Sequence, residues 1–170
     1  MPAVLLPPQS PVAPVGSRMT PDDLLDHYRT RSCAPQWRGF MRALCDELEH
    51  GLDEEDRARL MARLGERFAG DHPLPEVPTL DALQTAANAV WASIEWGRAE
   101  FEEKEDRVLI RHFASPLAAA GGAGRPWLAA FLEGVYRAWF RAAGTASVLD
   151  VACTHADANH VDSFVLSRVS

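Results

Sequence analysis

An α+β fold is the class this sequence predicts: N-terminal helices plus a small antiparallel sheet with a long aromatic-rich helix packed on it. Three observations predict it. Apolar residues recur at helical spacing from Leu24 to Ile94. The period drops to two from Arg98 onward, and again over the last two dozen residues. A single oily segment of helical period, "RPWLAAFLEGVYRAWF" at 125–140, separates the two alternating regions.

Each element has its own local signals. Residues 1–19, "MPAVLLPPQSPVAPVGSRM", hold five prolines in the first fourteen positions. Proline fixes φ and removes a backbone donor, so this reads as an extended, flexible arm ahead of one domain spanning 20–170. That domain opens at "TPDD", where Thr20 can cap, Pro21 suits the first helical position and Asp22 and Asp23 favour the positive helix end. A second helix is expected from Pro35 to just before Gly51, with Trp37, Phe40, Met41, Leu44 and Leu48 as a one-sided core face. "LDEEDRARLMARLGERFAG" is the third; its acids cluster in the first turn, and Leu60, Leu64 and Phe68 mark the stripe expected to be buried. The fourth runs from a Thr79 cap to a stop at Gly97, with Leu80, Leu83, Ala87, Val90, Trp91 and Ile94 inward. "RAEFEEK" and "RVLIRHF" then form a hairpin, with Ala99 and Phe101 sharing one face. "PLAAAGGAG" reads as a loop, and the oily helix follows from Pro126 to about Ala143, closed by Gly144. "SVLDVACT" and "DSFVLSRV" are the last two strands, joined by a polar loop, "HADANHVD".

Composition narrows the function classes. With 47% hydrophobic and 24% charged residues in 170, the chain suits one globular domain. A formal net charge of -7 disfavours nucleic acid as a partner, because phosphate backbones recruit basic patches. No apolar run is long enough for a transmembrane helix. The first residues lack the basic-then-apolar pattern of a secretory leader, which points to the cytoplasm. Three widely spaced cysteines, Cys33, Cys45 and Cys153, fit reduced structural thiols better than a disulfide framework.

The oily helix raises the sharpest question. On a wheel at about 100° per residue, Trp127, Phe131, Val135 and Trp139 form one row and Leu128, Leu132, Tyr136 and Phe140 the next. Together they sweep ~220°, while a helix lying on a sheet needs only about 100° covered. Glu133, Arg137 and Arg141 leave a narrow polar strip, and Ala130, Gly134 and Ala138 make a small-residue ridge where another backbone can come close. Either this chain's own sheet and helices enclose both rows, or a second copy covers one of them in an isologous dimer. The second answer makes Trp127, Leu128, Ala130, Phe131, Gly134, Val135, Ala138 and Trp139 the expected subunit-interface residues.

"WLAAFLEGVYRAW" and "ANAVWASIEWGRAEFEE" together resemble the D-subunit family of bacterial cellulose synthase, over about residue 35 to Arg168. The matching positions are Trp96 and Gly97, then Trp127, Leu128, Leu132, Glu133, Gly134, Tyr136 and Trp139, read as fold and assembly positions. The resemblance implies a non-catalytic accessory subunit of the cellulose secretion machinery, forming a homo-oligomer, an octamer built from dimers. It implies a scaffold that organises synthase complexes or the export of nascent glucan chains as crystalline cellulose. The expected partners are other copies of the chain, the cellulose synthase complex components, a proline-rich accessory protein and glucan itself. The implied place is the cytoplasmic face of the inner-membrane complex, with the periplasm as the alternative. The arm before residue 20 and the loop "HADANHVD" depart from the family pattern.

Two other chemistries compete. Cys153, His155, Asp157 and His160 lie within eight residues and could close on zinc, but a polar loop joining two strands is the favoured reading, and no metal site is expected. The aromatic helix could instead line a pocket for a small molecule or lipid, as in a sensor domain. No phosphate loop, dinucleotide fingerprint or nucleophile elbow occurs, and the acids fall mainly in helix first turns and on wet strand positions. The expectation is a protein with neither a catalytic residue nor a cofactor. The five tryptophans, Trp37, Trp91, Trp96, Trp127 and Trp139, read as core rings and not as sugar-stacking platforms.

Overall fold

The computed structural model describes residues 33–122, 124–145, 148–158 and 161–168. The proline-rich arm and the helix expected after Thr20 lie outside them. Three helices come first: α1 (Pro35–Gly51), α2 (Glu54–Asp71) and α3 (Leu80–Ser93). Strands β1 (Arg98–Glu103) and β2 (Val108–Phe113) follow, then a short helix α4 (Leu117–Gly121) and a 3-10 turn (Pro126–Ala129) leading into α5 (Ala130–Ala142). Strands β3 (Leu149–Ala158) and β4 (Val161–Arg168) close the order.

Local chemistry starts and stops these elements as expected. The Asp53 carboxylate accepts from the Asp56 amide at 2.8 Å to cap α2, and the Thr79 hydroxyl accepts from Ala82 at 3.2 Å to cap α3. Gly97 has φ +77°, and a Cβ there would lie 1.9 Å from the Phe113 carbonyl oxygen. Only glycine can turn the chain from α3 into β1 so close to β2.

The four strands form one antiparallel sheet in the order β1-β2-β4-β3. Its inner face carries Ala99, Ile110, His112, Val151, Phe164 and Leu166, all buried. Helix α5 lies on that face: Tyr136 meets Phe101 and Phe164 at ring centroids 5.8 and 5.6 Å apart. On its other side α5 meets α2 almost backbone to backbone. A Cβ on Gly134 would stand 2.0 Å from the Ala62 oxygen, and one on Gly65 would stand 1.9 Å from the Phe131 oxygen. Trp91 of α3, fully buried, fills the remaining angle between Phe68 and Trp139.

This arrangement corrects the expectation about the oily helix. Trp127, Leu128, Ala130, Gly134, Val135 and Trp139 are buried within a single chain, and Phe131 and Ala138 are half-buried. The small-residue ridge does receive another backbone, but it is that of α2. Most of the girth of α5 is taken up between the sheet and two helices, with Phe131 and Ala138 left half-buried, so the oiliness of this helix no longer requires a second copy.

Three other expectations change. "PLAAAGGAG" contains the short helix α4. "HADANHVD" is largely strand: β3 continues to Ala158, with register shifts between Cys153, His155 and Ala158 that absorb the irregularity. The third change concerns faces. Trp37, Phe40 and Leu44 of α1 are exposed by 57%, 58% and 41%, and Leu64 of α2 by 43%. The apolar stripe of α1 points largely to water.

Candidate functional site

Catalytic and metal chemistry need convergent donors, and among the described residues no three His, Cys, Asp or Glu side chains converge on a common point. Cys153 is half-buried, and burial pushes its thiol up to about 11, so it is held as a neutral thiol at ordinary pH. His155 is exposed on β3. The side chains of Asp157 and His160 lie outside the described residues. The buried titratable pair is His112 and Tyr136, and it is closed to ligands. The His112 Nε2–H donates to the Trp96 carbonyl at 2.7 Å, and its Nδ1 accepts from the Tyr136 hydroxyl at 2.5 Å. Burial drives His112 down to about 4, against that carbonyl bond, so the ring is neutral.

A cavity of about 220 Å³ opens beside the start of the oily helix. Its walls include Ser115, Arg125, Asp162, Leu117, Leu128 and Ala129. None of the α5 rings lines it, so it is not the pocket the aromatic helix was expected to form; its walls mix apolar side chains with Ser115, Arg125 and Asp162.

Each sheet edge is capped in part by side chains that sequence reasoning passed over. On β1, the Asn88 side-chain amide donates to the Ala99 carbonyl at 2.9 Å and accepts from the Ala99 amide at 2.7 Å. Gln84, one turn earlier on α3, accepts from the Phe101 amide at 2.5 Å. On β3, Glu133 accepts from the Cys153 amide at 3.0 Å and Arg137 donates to the Val151 carbonyl at 3.1 Å. Backbone groups of Ala99 and Phe101 on one edge, and of Val151 and Cys153 on the other, are thus satisfied by side chains. The i, i+4 spacing of Gln84 and Asn88, and of Glu133 and Arg137, was the available signal.

What remains is α1. Its contact face holds Met41, Cys45 and Leu48, of which Cys45 is buried. Cys45 and Leu48 pack with Trp127, Leu128, Met61 and Leu117. On the wheel Trp37, Phe40 and Leu44 centre ~75° from that face, so the body covers only half of a broad apolar arc. Trp37 and Phe40 meet edge to face, 6.0 Å between centroids. The pose of α1 is fixed all the same. Glu49 accepts from Arg125 through both carboxylate oxygens at 3.0 Å and from the Trp127 indole at 3.1 Å. Arg125 also pairs with Asp46 and bonds the Gly121 carbonyl. Those bonds hold Glu49 below the usual carboxylate range, the Arg125 bond first and the Trp127 bond second. Arg57 of α2 closes the joint, donating to the Leu52 carbonyl at 2.8 Å with its guanidinium 5.7 Å over the Trp127 ring. The result is a clamped helix with an open apolar face.

The family-motif positions now have physical roles. Trp127 anchors α1, Leu128 and Leu132 are core, and Gly134 admits α2. Glu133 caps the β3 edge, Tyr136 bonds His112, and Trp139 donates its indole N–H to the His72 carbonyl at 3.0 Å. Trp96 stacks on Trp91, and Gly97 makes the turn.

Comparison with known proteins identifies the family of the chain. The family model for the D subunit of cellulose synthase matches residues 23–167. Cellulose synthase operon protein D from Komagataeibacter xylinus is 32% identical over 113 residues, covering 65% of this chain and 72% of that protein. The protein of the same name from Komagataeibacter sucrofermentans matches to the same extent. Among solved structures, a trafficking protein particle complex subunit 3 from Naegleria fowleri overlaps 76% of this chain and 82% of its own. At 13% identity and a TM-score of 0.41, that overlap is too partial to define the fold.

Proposed function

This chain belongs to the D-subunit family of cellulose synthase, and from that premise we propose that it is an accessory subunit of bacterial cellulose synthesis that acts by geometry. It makes and breaks no bond. Its work is to assemble with copies of itself, an octamer built from dimers being the finer expectation. That assembly arrays the synthase complexes, or the glucan chains leaving them, so that the chains crystallise together. It stands at the cytoplasmic face of the inner-membrane complex. No helix among the described residues is long and apolar enough to cross a membrane.

The observation that carries the assembly is α1. A helix that exposes Trp37, Phe40 and Leu44 side by side while its pose is fixed by Arg125 is a surface built to be covered.

Two measurements test it. Native mass spectrometry of the purified chain should give a multiple of 18.7 kDa, and a stable monomer at micromolar concentration would sink the assembly. Deleting the gene in a cellulose-producing host should lower cellulose yield or crystallinity, and unchanged cellulose would remove the biological role.

A further inference from the structure

The cavity beside the 3-10 turn is walled by two polar side chains that are more than nine-tenths buried, Asp162 of β4 and Ser115 just past β2. The backbone around them is irregular on two sides. Ala114, next to Ser115, sits in the left-handed region at φ +58°, and β3 shifts register between His155 and Ala158, across the wall residue Ala156.

Charge decides what this space can hold. Among the described residues its walls carry two ionisable side chains, Asp162 and Arg125. Arg125 is already committed: four of its N–H bonds run to Glu49, Asp46 and the Gly121 carbonyl, so two carboxylates that do not line the cavity offset its one positive charge. The Asp162 carboxylate therefore sets the sign. Its field is felt in the interior, since burial first and the Asp162 charge second push the Cys153 thiol up. A carboxylate offers about four acceptor positions, so a guest can share Asp162 with the partners it already has. Ser115 accepts from the Leu117 amide at 3.3 Å and keeps a second lone pair. Leu117 and Leu128 add apolar wall, and the volume of about 220 Å³ is that of roughly seven waters at about 30 Å³ each. A hard metal ion takes about six oxygen ligands, and the described walls bring one carboxylate.

We propose that this cavity binds a primary ammonium on a short aliphatic stem, its N–H groups donating to Asp162 and Ser115 and its stem lying against Leu117 and Leu128. A neutral alcohol of the same length makes the same contacts without charge assistance, which roughly halves the strength of the polar bonds. An anion meets the carboxylate of Asp162 and an arginine whose charge is spent.

The test uses the full chain and n-butylammonium chloride at constant ionic strength, read by ligand-observed saturation-transfer NMR. Binding should saturate in the low millimolar range, roughly 1–10 mM, and 1-butanol and butyrate should bind at least about tenfold more weakly. Asp162→Asn should weaken butylammonium about tenfold or more, and Ala118→Leu, which fills the cavity from α4, should abolish its binding. Circular dichroism checks both folds, and if Asp162→Asn does not fold, Ala118→Leu and the three-ligand comparison decide. Equal binding of butanol, tighter binding of butyrate, no saturation below about 50 mM, or unchanged affinity in Ala118→Leu would each overturn the proposal. Nα-acetyl-lysine methylamide separates two sources of the same chemistry. Binding comparable to butylammonium assigns the cavity to a lysine side chain of a partner, and binding of butylammonium alone assigns it to a free amine.

Discussion

At the scale of single residues, the most demanding positions are two glycines and one histidine. Gly134 and Gly65 stand where a Cβ would fall 2.0 and 1.9 Å from the carbonyl oxygens of Ala62 and Phe131. Backbone, unlike the tip of a side chain, cannot move aside without shifting a helix. Gly134→Ala should therefore cost about 2 kcal/mol or more, a fall in Tm of roughly 5 °C for a chain of this size. An unchanged melting curve would mean α2 and α5 are not in this contact. His112 gives a prediction in pH. Its folded value of about 4 lies below the ordinary 6.5, so between those two values the unfolded chain binds more protons. Stability from this site is complete above pH 6.5 and falls as pH drops toward 4, by ~3 kcal/mol at most. Urea unfolding at pH 7.5 and 4.5 should show the loss, and His112→Gln should reduce the difference between the two. An equal difference in both proteins would show that His112 is not the buried acid sensor of the fold.

At the scale of elements, order and type were legible in the sequence, and faces were only partly so. Capping by Asp53 and Thr79 and the glycine turn at Gly97 rest on local chemistry, which a sequence carries in full. The strand hidden in "HADANHVD" was missed because its polar residues sit on an irregular edge strand, where period two is broken by register shifts. The exposed face of α1 was missed for a different reason. Periodicity shows that Trp37, Phe40, Leu44, Cys45 and Leu48 share one broad side, but not how much of that side the same chain will cover. Edge capping is the feature with the clearest consequence. Asn88→Ala removes both bonds to Ala99, leaving an amide and a carbonyl without protein partners, at about 1–3 kcal/mol for an unsatisfied buried group. Asn88→Asp can still accept from the Ala99 amide but cannot donate to its carbonyl, so it should fall between wild type and Asn88→Ala. Both variants should scatter more light on storage as the β1 edge opens, and stability and scattering equal to wild type would show that α3 does not guard the edge. Helix α1 offers a second element-level measurement. Arg125→Met removes the clamp on Glu49 and Asp46, so hydrogen exchange over 35–51 should quicken roughly tenfold while α5 and β4 keep their protection. Uniform exchange across the chain would show that the clamp holds the whole fold and not α1 alone.

For the whole molecule, the decisive fact is where apolar surface has been spent. The resemblance carried by the two aromatic segments was legible, and the family match over residues 23–167 upholds it. The link from the oiliest helix to assembly was misplaced. The rows of α5 pack between the sheet, α2 and α3, with Phe131 alone half-buried, so the largest hydrophobic feature of the sequence mostly builds the interior, while the more modest stripe of α1 is left facing water. A monomer gains nothing from holding Trp37 and Phe40 more than half exposed on a clamped helix, whereas an assembly gains their burial. Mass action then makes a thermodynamic demand that no monomer meets. If the folded chain is stabilised by pairing through α1, each tenfold rise in concentration adds about 1.4 kcal/mol per dimer, or ~0.7 per chain, and Tm should climb by roughly 1–3 °C. Scanning calorimetry from about 5 to 500 μM should show that climb in the wild-type chain and a flat line in Leu44→Glu, whose substituted side chain is exposed and whose own fold should melt unaided. A concentration-independent wild-type Tm would contradict pairing coupled to stability. A climb that persists in Leu44→Glu would place the stabilising contact on some surface other than α1.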